Sequence, residues 1–114
     1  MPHFIIDCSE NVLSIKPAED ILKEVHDTTD RTGLFAQGDI KVRIRTFKHY
    51  TVGNTKADFI HVFGNIMEGR TTEQKAGLYT AIIKKLKSIF DYVPVISINI
   101  REFEKATYCN RKMV

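Results

Sequence analysis

The sequence predicts an α/β (α+β) fold, a two-layer sandwich in which two helices cover one face of a four-stranded sheet. Three observations support this class. The predicted elements follow the order strand, helix, strand and then repeat it, which is a duplicated βαβ unit. Two segments alternate between apolar and polar residues, as half-buried strands do. Two others place apolar residues every three or four positions, as amphipathic helices do.

The first predicted unit ends at residue 47. Phe4-Ile5-Ile6 is a short apolar run after Pro2, which favours a buried strand. A helix follows with Pro17 in its first turn and a stop at Gly33. The second strand spans residues 40–47. Its apolar face carries Ile40, Val42 and Ile44, and its basic face carries Lys41, Arg43 and Arg45.

The second predicted unit begins after a turn at Gly53-Asn54. Residues 58–63 read as a strand, which we expect to pair antiparallel with the preceding strand. Thr71 and Gln74 have the spacing of a capping box, which starts a helix that runs to about Phe90. We expect the apolar side of this helix to be core, and its members are Ala76, Tyr79, Ile82, Ile83, Leu86, Ile89 and Phe90.

The last predicted strand alternates isoleucine with polar residues over 96–101, and the tail from Glu104 has no pattern. The sheet face away from the helices should carry Lys41, Arg43, Arg45, Ser97, Asn99 and Arg101. Such a face is either solvated or lines a wet channel inside an oligomer. We expect His61 to be satisfied by packing or hydrogen bonding within its strand rather than to act as a catalyst.

Composition excludes several classes of protein. The 114 residues fit one domain, 1–114, and the +3 charge is spread too thinly for a nucleic-acid binder. No apolar run approaches the roughly 20 residues of a membrane span, so we expect a cytoplasmic protein. The two cysteines and four histidines have no metal-ligand spacing, and no nucleotide-binding glycine motif occurs. We therefore expect neither a metal nor a cofactor.

The chemistry-bearing candidates are at the N-terminus and before the second helix. If Met1 is removed, Pro2 becomes a secondary amine that is anchored by the strand it begins. An amine in an apolar or cationic site loses its proton near neutrality and can act as a general base. Arg70 precedes the helix cap, where a guanidinium and free backbone N–H groups favour a carboxylate. An ordinary exposed loop arginine is the alternative interpretation.

Three segments together resemble the tautomerase superfamily, and within it the 5-carboxymethyl-2-hydroxymuconate isomerase family. The segments are Met1-Pro2-His3-Phe4-Ile5-Ile6-Asp7-Cys8-Ser9, Ile40-Lys41-Val42-Arg43 and Gly69-Arg70-Thr71. The resemblance implies a homotrimer, Pro2 as the base after Met1 removal, and arginines that bind substrate carboxylates. One of these is Arg70. The other position is occupied by Lys41, which lacks the planar fork of arginine, so Arg43 is a second candidate for this role.

The leading hypothesis is a cofactor-free isomerase of a small carboxylated dienol, 5-carboxymethyl-2-hydroxymuconate, in aromatic catabolism. Pro2 and Arg70 are its catalytic candidates, and Lys41 and Arg43 are its substrate-binding candidates. Two alternatives stay open: a tautomerase of another 2-hydroxydienoate or enol, and a non-catalytic trimeric binding protein of the same fold. A small nucleic-acid-binding domain is disfavoured, because no exposed aromatic residues interleave with the basic strand.

Overall fold

The computed structural model describes residues 1–114. Its strands are β1 (His3–Ser9), β2 (Lys41–Phe47), β3 (Phe59–Met67) and β4 (Val95–Phe103). Its α-helices are α1 (Val12–Ile15), α2 (Ala18–Arg31) and α3 (Thr72–Ile89). Short 3₁₀ turns occupy Gln37–Asp39, Lys105–Thr107 and Arg111–Met113. The duplicated strand-helix-strand order is therefore confirmed, and the additional α1 is a single turn that the sequence pattern did not reveal.

The four strands form one sheet in the order β2-β1-β3-β4. β1 is parallel to β2, β3 is parallel to β4, and the two units meet where β1 and β3 run antiparallel. The predicted antiparallel pairing of β3 with β2 is wrong. Each helical crossover returns its second strand parallel beside its first, so β2 and β4 become the outer strands. The strands that pair across the two units are then β1 and β3.

The core lies between the sheet and the two long helices. β1 and β3 bury alternate residues on the helix side, among them Phe4, Ile6, Val62 and Ile66. From the helices, α2 contributes Ile21 and Val25, and α3 contributes Leu78, Ile82, Leu86 and the capping residue Phe90.

Tyr79 is not a core residue, contrary to prediction, since 44% of it is exposed. The buried residues Leu78, Ile82 and Leu86 are spaced four apart on one side of α3. Tyr79 is one step of about 100° further round the helix, and it therefore faces outward.

The open face of the sheet carries the predicted polar side chains. Strand register aligns Lys41, His3, Asn65 and Arg101 in one row, Arg43, Ile5, Phe63 and Asn99 in the next, and Arg45, Asp7, His61 and Ser97 in the third. His61 is hydrogen-bonded as expected, with 2.6 Å between its Nδ1 and Ser97 Oγ. Its ring also lies edge-on to Phe63, with 4.5 Å between the ring centroids.

The turns that end the elements have the expected chemistry. Gly33 follows α2 with a φ of 74°, a left-handed conformation that glycine adopts without strain. The capping box of α3 is complete: Gln74 N–H donates to Thr71 Oγ1, and Thr71 N–H donates to Gln74 Oε1. No helix in the structure has both the length and the apolar character that a bilayer crossing requires.

Candidate active site

Pro2 lies at the edge of the sheet where β1 and β2 begin and β3 ends. It is buried, and its carbonyl accepts a hydrogen bond of 3.1 Å from the Lys41 backbone N–H. This bond continues the parallel register of β1 and β2 by one residue before His3. The start of the chain is therefore held against β2. We call the group formed by Pro2, Asp39, Lys41 and Arg70 the site edge.

Arg70 is fixed in the short loop between β3 and α3. Its half-buried guanidinium donates from Nη2 to the Leu34 carbonyl at 2.6 Å and lies over the Phe35 ring, 4.6 Å from the centroid. Leu34 and Phe35 follow α2, so the Arg70 contacts connect the two units of the fold. No carboxylate lies within ion-pair distance of this arginine. Its positive charge is left without a negative partner.

Lys41 is the first residue of β2 and is also half-buried. Its Nζ donates to the backbone carbonyl of Asp39 at 2.6 Å and joins no ion pair. A neutral carbonyl orients the ammonium without cancelling its charge. The site edge thus contains two cations that have no carboxylate partner.

These charges affect the pKa of the terminal amine of the chain. Partial burial lowers the pKa of the Met1 amine below its ordinary 8.0, the Asp39 carboxylate opposes this shift, and Lys41 and Arg70 add to it. Of the residues predicted from the sequence, Pro2, Lys41 and Arg70 are brought together here.

Arg43 lies two residues further along the same face and has a different neighbour. Its Nη1 donates to His3 Nδ1 at 3.1 Å, and its side chain is exposed. The pKa of His3 is below 6.5 because burial disfavours the charged ring, and the cations Lys41 and Arg43 act in the same direction. Arg43 therefore contacts His3, whereas Lys41 lies next to the chain terminus.

Sequence reasoning missed Asp39 and the Leu34-Phe35 segment. Asp39 ends the 3₁₀ turn before β2, and nothing in its local sequence distinguishes it from an ordinary loop acid. The one available signal was its position two residues before Lys41, which the parallel register makes a neighbour of the chain start.

A cavity of about 450 Å³ opens beside Arg70 and is lined also by Gly33, Leu34, Glu68, Gly69, Gln74 and Lys105. The tail, for which no pattern was found, closes one side of it, since the Lys105 backbone N–H donates to Glu68 at 2.6 Å. A similar space of about 460 Å³ between α2 and α3 contains none of the predicted site residues. The Arg70 cavity is the more relevant one, because a cation with no negative partner lines it. No group of three or more His, Cys, Asp or Glu side chains is arranged to hold a metal ion.

The fold places the chain among tautomerase-fold proteins. It is similar to a crystal structure of a 5-carboxymethyl-2-hydroxymuconate isomerase from Deinococcus radiodurans R1, with a TM-score of 0.84 and 21% identity over 96% of this chain and 88% of that one. A fused 4-OT symmetric trimer aligns with a TM-score of 0.80 and 15% identity, covering 98% of this chain and 94% of that one. At these identities the likeness shows the fold alone.

The chain belongs to the 5-carboxymethyl-2-hydroxymuconate isomerase family, whose model matches residues 2–113. It is also 25% identical over 92 residues to the 5-carboxymethyl-2-hydroxymuconate Delta-isomerase of Escherichia coli, which covers 79% of this chain and 73% of that protein. The resemblance seen in the sequence is confirmed at the level of family, and the family is one of isomerases.

Proposed function

We propose that the protein is a cofactor-independent tautomerase that isomerises 5-carboxymethyl-2-hydroxymuconate to its 2-oxo form, with Pro2 as the base. The observation that carries this proposal is the site edge: a buried proline at the chain start, next to two cations without a carboxylate partner. Membership of the isomerase family supports the reaction class. The substrate has three carboxylates, which the unpaired cations of the site edge would attract.

The proton transfer requires the secondary amine of Pro2, and so it requires removal of Met1. In the chain that carries Met1, the Pro2 nitrogen is an amide and holds no basic lone pair. Once free, the nitrogen would accept the proton of the 2-hydroxyl group as the C2–O bond becomes a carbonyl, and would return a proton to carbon 5. The pKa of the Met1 amine at this edge is lowered, which supports a terminal nitrogen that releases its proton more readily than an ordinary amine does.

Arg70 and Lys41 would bind the substrate carboxylates and stabilise the negative charge that develops on the 2-oxygen. Arg70 is held by the Leu34 carbonyl, and Lys41 by that of Asp39, so both cations are positioned before substrate arrives. Arg43 is the second candidate for binding the substrate carboxylate that we assign to Lys41, because it lies on the same face of β2. An arginine there would supply the planar fork that Lys41 lacks.

We also propose a homotrimer. The open sheet face combines half-buried Ile5 and Phe63 with charged neighbours, a mixture that gains from being covered. Two neighbours of the same fold are described as fused 4-OT symmetric trimers. Sedimentation equilibrium tests this directly: we expect three times the mass of the chain, and a monomer under active conditions contradicts it.

The activity is tested by following the dienol absorbance of 5-carboxymethyl-2-hydroxymuconate with protein whose intact mass shows that Met1 is absent. We expect Pro2→Ala to lose much of the turnover, since its terminal nitrogen is a primary amine that no ring holds in a fixed orientation. Undiminished turnover in that variant contradicts the base assignment. A parallel assay with a monocarboxylate 2-hydroxydienoate and with phenylpyruvate enol distinguishes the proposed substrate from others. No turnover of any of them points to the non-catalytic alternative.

A further inference from the structure

Asp39 lies beside the start of the chain. β1 and β2 are parallel with His3 opposite Lys41, and the hydrogen bond from Lys41 N–H to the Pro2 carbonyl extends this register. Asp39 ends the 3₁₀ turn that lies just before Lys41, the residue whose backbone is bonded to Pro2. The charge of Asp39 acts on the Met1 amine from this turn. The Asp39 side chain thus lies on the chain segment that leads to the residue bonded to Pro2.

The carboxylate of Asp39 has no partner among the side chains of this protein. Asp39 is half-buried, yet its side-chain oxygens accept no hydrogen bond and join no ion pair. Its main-chain groups are engaged, since the N–H donates to the Ala36 carbonyl and the carbonyl accepts from Lys41 Nζ. The turn is therefore fixed while the negative charge remains available.

We infer that Asp39 is a positioning residue. Its carboxylate stabilises the protonated terminal nitrogen between proton uptake and proton return. This inference rests on the proposed function, in which Pro2 is the base. With only the two cations beside it, the amine would lose its proton too readily. The proton would then leave before it could be transferred to carbon 5 of the substrate. Asp39 supplies the opposing charge on the side of β2.

The charges that face the terminal nitrogen come from three elements. Asp39 and Lys41 lie on the segment that leads into β2, Arg70 lies between β3 and α3, and His3 follows on β1. The electrostatic balance at the Met1 amine supports the assignment, because Asp39 raises its pKa whereas Lys41 and Arg70 lower it. His3 is itself coupled to the terminus, which lowers its pKa.

The test is an NMR titration of Pro2 in Met1-free protein labelled with ¹⁵N-proline. We expect Asp39→Asn to lower the titration midpoint of the Pro2 nitrogen by about half a unit to one unit. The acidic limb of the kcat/KM profile should move by the same amount. Lys41→Met should move the midpoint in the opposite direction. Asp20→Asn is the matched control, since Asp20 is in the first turn of α2, about 16 Å from the C-terminal end of that helix, which is the end that leads to the Arg70 contact at Leu34.

Asp39→Glu separates charge from shape, and we expect it to keep the wild-type midpoint. An unchanged midpoint in Asp39→Asn, or the same fall in Asp39→Glu and in Asp20→Asn, overturns the assignment. The titration needs no substrate, so its result is distinct from that of the proposed function. If Met1-free protein turns over no dienol while Asp39→Asn still shifts the midpoint, the proposed reaction is wrong and the electrostatic role of Asp39 stands.

Discussion

The two ends of the sheet use polar residues in opposite ways. At the end where β1 finishes and β3 begins, Asp58 accepts hydrogen bonds from Ser9 Oγ at 2.8 Å and Asn11 Nδ2 at 2.9 Å, and we call these three residues the Asp58 cluster. At the site edge, Asp39, Lys41 and Arg70 have no oppositely charged partner. Satisfied polar groups stabilise a fold, whereas charges left unpaired remain free to act on a ligand.

The comparison is tested most strongly by removing an unpaired cation. We expect Arg70→Ala to lower kcat/KM for the dienol by roughly 100- to 1,000-fold, since a charged donor preorganised for the reaction is lost. Steady-state kinetics measures this. Arg45→Ala is the matched control, because Arg45 is already bound to the Asp7 carboxylate at 2.7 and 3.0 Å. Equal losses in the two variants contradict the distinction between paired and unpaired charges.

Lys41 and Arg43 allow a finer test on one strand. We expect Lys41→Ala to reduce kcat/KM by roughly 10- to 100-fold, which corresponds to a charged hydrogen bond of about 1.5–3 kcal/mol. Arg43→Ala should cost less, because Arg43 contacts His3 rather than the chain start. The reverse order in the same assay assigns the substrate carboxylate to Arg43.

The Asp58 cluster should govern stability instead of activity. We expect Asp58→Ala to lower the free energy of unfolding by about 1–3 kcal/mol, because the buried Ser9 hydroxyl loses its acceptor. Urea denaturation measures this, and kcat/KM should be unchanged. Asp39→Ala is the counterpart at the other end, with a change below about 0.5 kcal/mol since its carboxylate accepts no hydrogen bond. A greater loss from Asp39→Ala than from Asp58→Ala reverses the comparison.

The smallest effect concerns His3. Burial and the cations Lys41 and Arg43 hold its pKa below 6.5, so the unfolded chain binds more protons than the folded one in the window just below that value. Stability should therefore rise with pH through this window and fall as the ring is protonated. Proton NMR of His3 should give a midpoint below 6.5 that rises in Arg43→Ala and stays constant in Arg45→Ala. A midpoint at or above 6.5 contradicts this.

Local sequence signals predicted the elements well. The capping box of Thr71 and Gln74, the alternation in β2 and β4, and the glycine stop after α2 are determined by neighbours a few residues away. Strand pairing depends on contacts between distant residues. The 48–58 connection resembled a hairpin, with Gly53 and Asn54 in a tight left-handed turn, but the strands on either side of it do not pair.

The same distinction between local and long-range signals applies to the candidate site. Pro2, Lys41 and Arg70 were predicted from the sequence by residue type and resemblance, and the structure brings them together at one edge. Asp39 was not predicted, because its proximity to the chain start follows from the parallel register of β1 and β2. The contact between Arg70 and Leu34 spans 36 residues and likewise has no local signature.

The central claim is that the free nitrogen of Pro2 is the base. Its most direct test compares two preparations of the same chain, with and without Met1, each verified by intact mass and assayed at equal concentration on 5-carboxymethyl-2-hydroxymuconate. We predict that the Met1-free protein turns over the dienol and that the Met1-bearing protein is slower by at least about 100-fold, the usual contribution of a general base. Equal turnover by the two preparations would contradict the claim.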